Sequence, residues 1–307
     1  MNRKFATWLI VLIVLVFLGY IIYDVAFDRE KPEKRNQVAD LQQQEDSWRV
    51  SATIDPAAGK VQSVGIMYDG HILIGGENFL ACYDDLKNLL WTKKTEKAIT
   101  SLCSSGDTVF ASTRETILEY NINGDQLAEW GPFEDNAIIT SVTANNSVVI
   151  FADAGNKVLM TLDRKGNFRK MIGKSGEPFV VPSPYFDVAV DKNNYIWVAN
   201  TGQRRIEKRD PEGNLVAKFG EAGTAPEAFC GCCNPAHFAM IPQGFVTAEK
   251  GINRIKILDK NGVFKEFVSS INQFVPSSPL DIASADGKTI YAANQADSKI
   301  YVFTRKE

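Results

Sequence analysis

One internal repeat constrains the fold of this chain more than any other feature. A tight turn of the form Asp/Asn-x-x-Gly recurs as Asn121-Ile-Asn-Gly124, Asp163-Arg-Lys-Gly166, Asp210-Pro-Glu-Gly213 and Asp259-Lys-Asn-Gly262. Their first residues lie 42, 47 and 49 positions apart. The glycine supplies the positive φ that a tight hairpin requires, and a period of about 40–50 residues filled with short strands is that of propeller blades.

An apolar run precedes each turn, at 117–120, 158–162, 206–209 and 255–258, with a last copy at 300–303. One strand earlier lie 72–74, 109–111, 148–152, 195–199, 245–248 and 289–293, which makes six copies. These runs are almost continuously apolar rather than alternating, as expected where neighbouring blades cover both faces of a sheet. The last copy shows three strands only (280–283, 289–293, 299–304), whereas 48–54, WRVSATI, is a strand without a partner. If that strand completes the sixth blade as its outer strand, no sheet edge stays open. The expected fold is therefore all-β, a six-bladed β-propeller.

The unit 184–223 resembles an NHL repeat. It carries VAN at 198–200 where that family usually has VAD, then RRIEKRDPEGN at 204–214 and a closing FG at 219–220. The likeness is strongest in blades four and five, weaker in three and six, weakest in one and two, and covers most of 48–304. It implies an NHL-type propeller. Such propellers host RNA binding, protein binding and lyase or hydrolase chemistry, so the likeness bears on fold and not on activity.

Residues 5–23 (FATWLIVLIVLVFLGYIIY) carry no charge and would extend about 28 Å as a helix. Bulky Tyr20, Ile21, Ile22 and Tyr23 replace the small residues of a cleavage site, so the segment reads as an uncleaved signal anchor, a single membrane span with Arg3 and Lys4 on the cytoplasmic side. This predicts a cytoplasmic tip and transmembrane helix at 1–27, a polar stalk at 28–46, and a propeller at 47–307 on the extracytoplasmic, periplasmic side of the cell membrane. Nucleic acid is not an expected partner: 34 Lys and Arg against 37 Asp and Glu leave a net charge of −3, with no field to follow a phosphate backbone.

In this type of propeller the loops that lead into the inner strands share one face with the turns between second and third strands. Ser101, Ser141, Asp187, His237 and Asp281 begin inner strands, and Asp153, Asn200, Glu249, Lys250 and Asn294 sit at the turns. Of these, Asp153, Asp187, Asn200, Glu249, Asp281 and Asn294 are candidate ligands for Ca²⁺ or a polar molecule at a channel mouth; the competing reading is turn chemistry alone.

No repeat pattern explains Phe229-Cys-Gly-Cys-Cys-Asn-Pro-Ala-His237, at the crossing from blade four to blade five. Three readings stay open for it. Cys230, Cys232, Cys233 and His237 can ligate a metal or an iron-sulfur cluster; two of the thiols can be bridged; or one is a reactive thiol that pairs with a partner. Cys82 and Cys103 lie in apolar strands and read as small hydrophobes. No nucleophile elbow, HExxH pair, Walker loop or CxxCH site is present, and no catalytic residue is assigned. The leading function is a protein-binding or scaffold module with a membrane or extracytoplasmic partner. The alternatives are an electron-transfer or metal-binding component using the cysteine loop, and a calcium-dependent hydrolase or lyase at the channel mouth.

Overall fold

The computed structural model describes residues 3–27, 47–174, 176–270, 274 and 278–306. The chain divides into two units, Met1–Gln44 and Glu45–Glu307.

In the first unit, α1 (Arg3–Phe27) is a single helix. Among the described residues, however, no helix is long and apolar enough to cross a membrane. The expected transmembrane helix, signal anchor and single-pass cell-membrane location, with a periplasmic propeller, are therefore not supported. The expected stalk at 28–46 lies outside the described residues.

The second unit begins with β1 (Trp48–Ile54). Six four-stranded antiparallel sheets follow the chain. Blade 1 is β2 (Val61–Ile66), β3 (Ile72–Gly76), β4 (Phe79–Tyr83) and β5 (Leu89–Lys94). Blade 2 is β6 (Ser101–Ser105), β7 (Thr108–Ser112), β8 (Ile117–Asn121) and β9 (Gln126–Trp130). Blade 3 is β10 (Ile139–Ala144), β11 (Val149–Asp153), β12 (Val158–Leu162) and β13 (Phe168–Ile172). Blade 4 is β14 (Val188–Val190), β15 (Ile196–Asn200), β16 (Arg205–Arg209) and β17 (Leu215–Phe219). Blade 5 is β18 (His237–Ile241), β19 (Gly244–Ala248), β20 (Ile255–Asp259) and β21 (Phe264–Ser269). Blade 6 is β22 (Leu280–Ala283), β23 (Thr289–Asn294) and β24 (Lys299–Arg305), and β1 is its outer strand. Trp48 lies opposite Arg305 and Ile54 opposite Ile300, so the two ends of the propeller sequence meet in one sheet and close the ring.

The core lies between blades. Each of six buried apolar clusters draws its residues from two successive sheets, which explains why the second and third strands are apolar on both faces. Burying one such Val, Leu, Ile or Phe side chain contributes about 1.5–3 kcal/mol. The cluster between blades 4 and 5 has a smaller buried centre, Ala199, Ile206, Phe238 and Phe245, with the partly buried Ala189, Trp197, Phe219 and Met240 packed around it.

The repeated turns make a second inter-blade contact. Gly166 has φ +80°, and a Cβ there would lie 2.6 Å from the Trp130 ring of the preceding blade; Gly262, at φ +83°, stands likewise 2.3 Å from Phe219. Glycine thus meets two demands at once, a left-handed backbone and close approach to a neighbouring side chain. In each turn the glycine N–H bonds back to the leading Asp carbonyl, at 3.1 Å for Gly166 and 2.9 Å for Gly262.

Candidate functional site

The channel mouth is built by residues that begin the inner strands. Ser101, Ser141, Asp187 and Asp281 line a cavity of about 210 Å³ on the ring axis. Their side chains are tied across the blade boundaries. Ser101 Oγ accepts the Val142 N–H at 3.2 Å, and Ser141 Oγ accepts that of Val188 at 3.2 Å. Asp187 Oδ2 accepts that of Phe238 at 2.8 Å, and Asp281 Oδ2 that of Val64 at 2.9 Å. Each of these links joins one blade to the next, and Asp281 fastens blade 6 to blade 1 across the closure. Between blades 5 and 6, His237 takes the same place by pointing Nδ1 at Asp281 Oδ1, 3.4 Å away, with Asp187 Oδ2 at 3.8 Å. A buried N–H without an acceptor is costly, so these oxygens have structural work independent of any ligand.

Electrostatics at this ring are set by burial. Burial pushes the Asp281 carboxyl up to about 6, while His237 pulls it back and Asp187 adds to the rise. Asp187 is also raised, chiefly by burial and against the pull of His237 and the Ser141 hydroxyl.

The turn residues Asp153, Asn200, Glu249 and Asn294 do not line this cavity. Asp153 Oδ1 accepts the N–H groups of Ile138, Gly155 and Asn156 at 2.9, 3.0 and 3.2 Å. Asn200 Oδ1 accepts that of Val180 at 2.9 Å, and Asn294 Oδ1 that of Ala296 at 3.2 Å. Glu249 Oε2 accepts that of Cys230 at 2.9 Å. In blades 3, 4 and 5 the turn side chain thus pins the strap arriving from the previous blade, and the two sets of candidates form separate layers.

At the crossing from blade 4 to blade 5 this pinning grows into a buried ionic cluster. Glu249 Oε1 receives Arg254 Nε at 2.7 Å and Lys256 Nζ at 3.1 Å, with all three side chains at most 1% exposed. Arg254 also donates to the carbonyls of Thr224 at 3.0 Å and Ala228 at 2.8 Å, and the Lys256 ammonium lies over the Phe229 ring at 4.4 Å. Burial pushes Lys256 down to about 8 against the upward pull of Glu249. These contacts add to the apolar packing between the two blades. Blade 4 carries a related arrangement, in which Glu207 is bonded by Arg209 Nε at 3.0 Å, Arg205 Nε at 2.8 Å and Asn200 Nδ2 at 2.8 Å. Burial raises the Glu207 carboxyl, but these donors prevail and hold it below its ordinary value.

The cysteine loop stands on this base. Asn234 clamps it to the next turn, its Oδ1 accepting the Lys250 N–H at 2.9 Å and its Nδ2 donating to the Lys250 carbonyl at 3.0 Å. Cys232 is exposed, Cys233 buried and Cys230 half-buried. The sulfurs of Cys232 and Cys233 are 3.1 Å apart, and the Ser183 hydroxyl donates to Cys233 Sγ at 2.8 Å. Among the described residues no three His, Cys, Asp or Glu side chains converge to hold a metal ion. His237, a candidate ligand beside the thiols, faces the two channel carboxylates. Ser183, Arg254, Lys256 and the clamping role of Asn234 escape the sequence reading; the signal available for the two cations is their spacing, Arg254 just before β20 and Lys256 within it between Ile255 and Ile257.

No protein-family model matches the sequence. No curated protein matches it either. Solved structures do share the fold. A streptogramin B lyase superposes with a TM-score of 0.61 at 11% identity, covering 84% of this chain and 98% of that one. A catalytically inactive virginiamycin B lyase from Staphylococcus aureus with quinupristin gives 0.58 at 15% identity, covering 82% and 83%. The WD40 β-propeller domain of Doa1 gives 0.59 at 13% identity, covering 85% and 98%. At these identities the likeness is one of fold.

Proposed function

We propose that this chain is a binding propeller of NHL-like repeats that engages a protein partner through the face carrying residues 221–234. The observation that supports this best is the contrast within that segment. Its backbone is fixed from below by Glu249, Arg254 and Asn234, whereas Glu221, Ala222, Gly223, Thr224, Glu227, Gly231 and Cys232 are exposed. A surface ordered before binding loses little conformational entropy on association. The segment also departs from the repeat, and irregular loops on a regular scaffold are where propellers carry recognition. The lyases among the structural neighbours share the fold only. The turn oxygens of this chain are engaged by backbone N–H groups and cations, which favours binding over turnover.

The test is co-purification of the tagged full chain with its partner from its own cells, in reducing buffer. Thr224→Arg with Glu227→Arg should abolish a partner band that Lys165→Glu, at a turn on the opposite face, retains. Equal recovery with both variants would overturn the proposal.

A further inference from the structure

Partner binding leaves the adjacent thiols of Cys232 and Cys233 without a role. Their sulfurs are in contact at 3.1 Å, one exposed and one only 3% exposed at the residue level. Consecutive Cα atoms lie about 3.8 Å apart, closer than the roughly 4.4–6.8 Å of an ordinary disulfide. A bond between these sulfurs is therefore strained, and strained, accessible disulfides are the readily reduced kind that exchange rather than staple.

The surroundings divide the labour between the two. Cys232 is open to a reagent. Cys233 sits beneath it, with the Ser183 hydroxyl on its sulfur at 2.8 Å. Lys250, whose ammonium lies over the Tyr185 ring at 4.3 Å, contributes positive charge. Burial and the neighbouring Cys232 thiol push the Cys233 thiol up, against the downward pull of Ser183 and Lys250. The Asn234 clamp keeps the pair on a fixed support.

From this geometry we propose that Cys232 and Cys233 form a two-electron thiol–disulfide exchange site, with Cys232 attacking and Cys233 resolving; because the bridged form is strained, the pair is oxidised by a disulfide with a better leaving thiol and in turn oxidises ordinary substrate thiols. The Cys232 thiolate attacks one sulfur of R–S–S–R′, forming a mixed disulfide and expelling R–S⁻, which takes up a proton. The Cys233 thiolate then attacks Cys232 Sγ and expels R′–S⁻, which is protonated in turn. The two cysteines lose two electrons and two protons and become a vicinal disulfide; the attacked disulfide gains both and becomes two thiols. This goes beyond partner binding and does not depend on it, because the exchange can be read with a small disulfide alone.

The test uses the reduced full chain and 5,5′-dithiobis(2-nitrobenzoate). In the wild type two thionitrobenzoate ions should leave per reagent consumed, with no adduct retained and the loop peptide lighter by two hydrogens. Cys233→Ser should release one and keep the other on Cys232, and Cys232→Ser should slow the first release by more than about tenfold. Cys230→Ser should behave as the wild type. Peptide mapping of the wild type decides the matter even if Cys233→Ser misfolds: a stable adduct on Cys232, or a bridge from Cys230 to Cys232, overturns the proposal. Reduced glutathione and a dithiol peptide assayed in parallel with the bridged protein identify a small-molecule or a polypeptide substrate by which is oxidised faster.

Discussion

Glu249 holds the backbone N–H of Cys230 at 2.9 Å. The same carboxylate pairs with Arg254 and Lys256 beneath the loop, so one side chain couples the blade 4 to blade 5 interface to the cysteine face. Replacing Glu249 with Ala leaves two buried cations unpaired and should cost about 3–5 kcal/mol in urea unfolding. Lys256→Met keeps the Glu249–Arg254 pair and removes an ammonium that burial already disfavours. Its effect should stay within about 1 kcal/mol, in either direction.

The channel ring gives a pH dependence of defined sign. An unfolded Asp titrates near 4 and Asp281 in the fold near 6, so between those values the folded chain binds the extra proton and stability falls as pH rises. The Asp281 side chain keeps 15% of its surface open, so the swing should be about 1–2 kcal/mol. Asp281→Asn, which can still accept the Val64 N–H, should flatten that slope. Urea midpoints from pH 4 to 7 for both proteins measure it.

Closure through β1 makes Trp48 a keystone at 2% exposure, with the Arg305 guanidinium 5.2 Å over its ring. Trp48→Ala should cost about 3–5 kcal/mol. Hydrogen exchange should quicken first in β1 and β24, because among the described strands this is the sheet pairing that joins strands distant in sequence.

The turns offer a paired test of opposite sign. Gly166→Ala places a Cβ against Trp130 in a left-handed conformation and should destabilise by about 1–3 kcal/mol. In blade 1 the matching position is Lys87, at φ +72°. Lys87→Gly should stabilise by up to about 1 kcal/mol. Thermal melts of the two variants check both signs.

That same Lys87 shows how far the fold is legible in the sequence. Its N–H bonds to the Asp84 carbonyl at 3.0 Å, as Gly166 does to Asp163, yet without the glycine the blade 1 turn has no visible signature. The apolar second and third strands and the β1 closure follow directly from pattern, because packing between blades demands apolar residues on both faces. The site is less legible. Position in the repeat gathers Ser101, Ser141, Asp187 and Asp281, which the structure places around one cavity, but spacing carries no information about depth, and so it merges them with Asp153, Asn200 and Glu249, whose oxygens hold the straps, and with Asn294, whose oxygen holds its own turn. Charge-free composition misleads at 5–23, where residue type alone suggests a membrane span that the helix does not support. The clamp of Ser183 and Asn234 on the cysteine loop joins residues 50 and 16 positions from their partners, beyond the reach of local pattern.

Recognition through the cysteine face is tested most directly by photocrosslinking in cells, with a diazirine amino acid in place of Cys232 or, on the opposite face, of Lys165. The probe at 232 removes the attacking thiol, so any adduct reports binding and not disulfide exchange. A discrete protein adduct from position 232 and none from 165 is the expected result; adducts from 165 alone, or none from either, would contradict it.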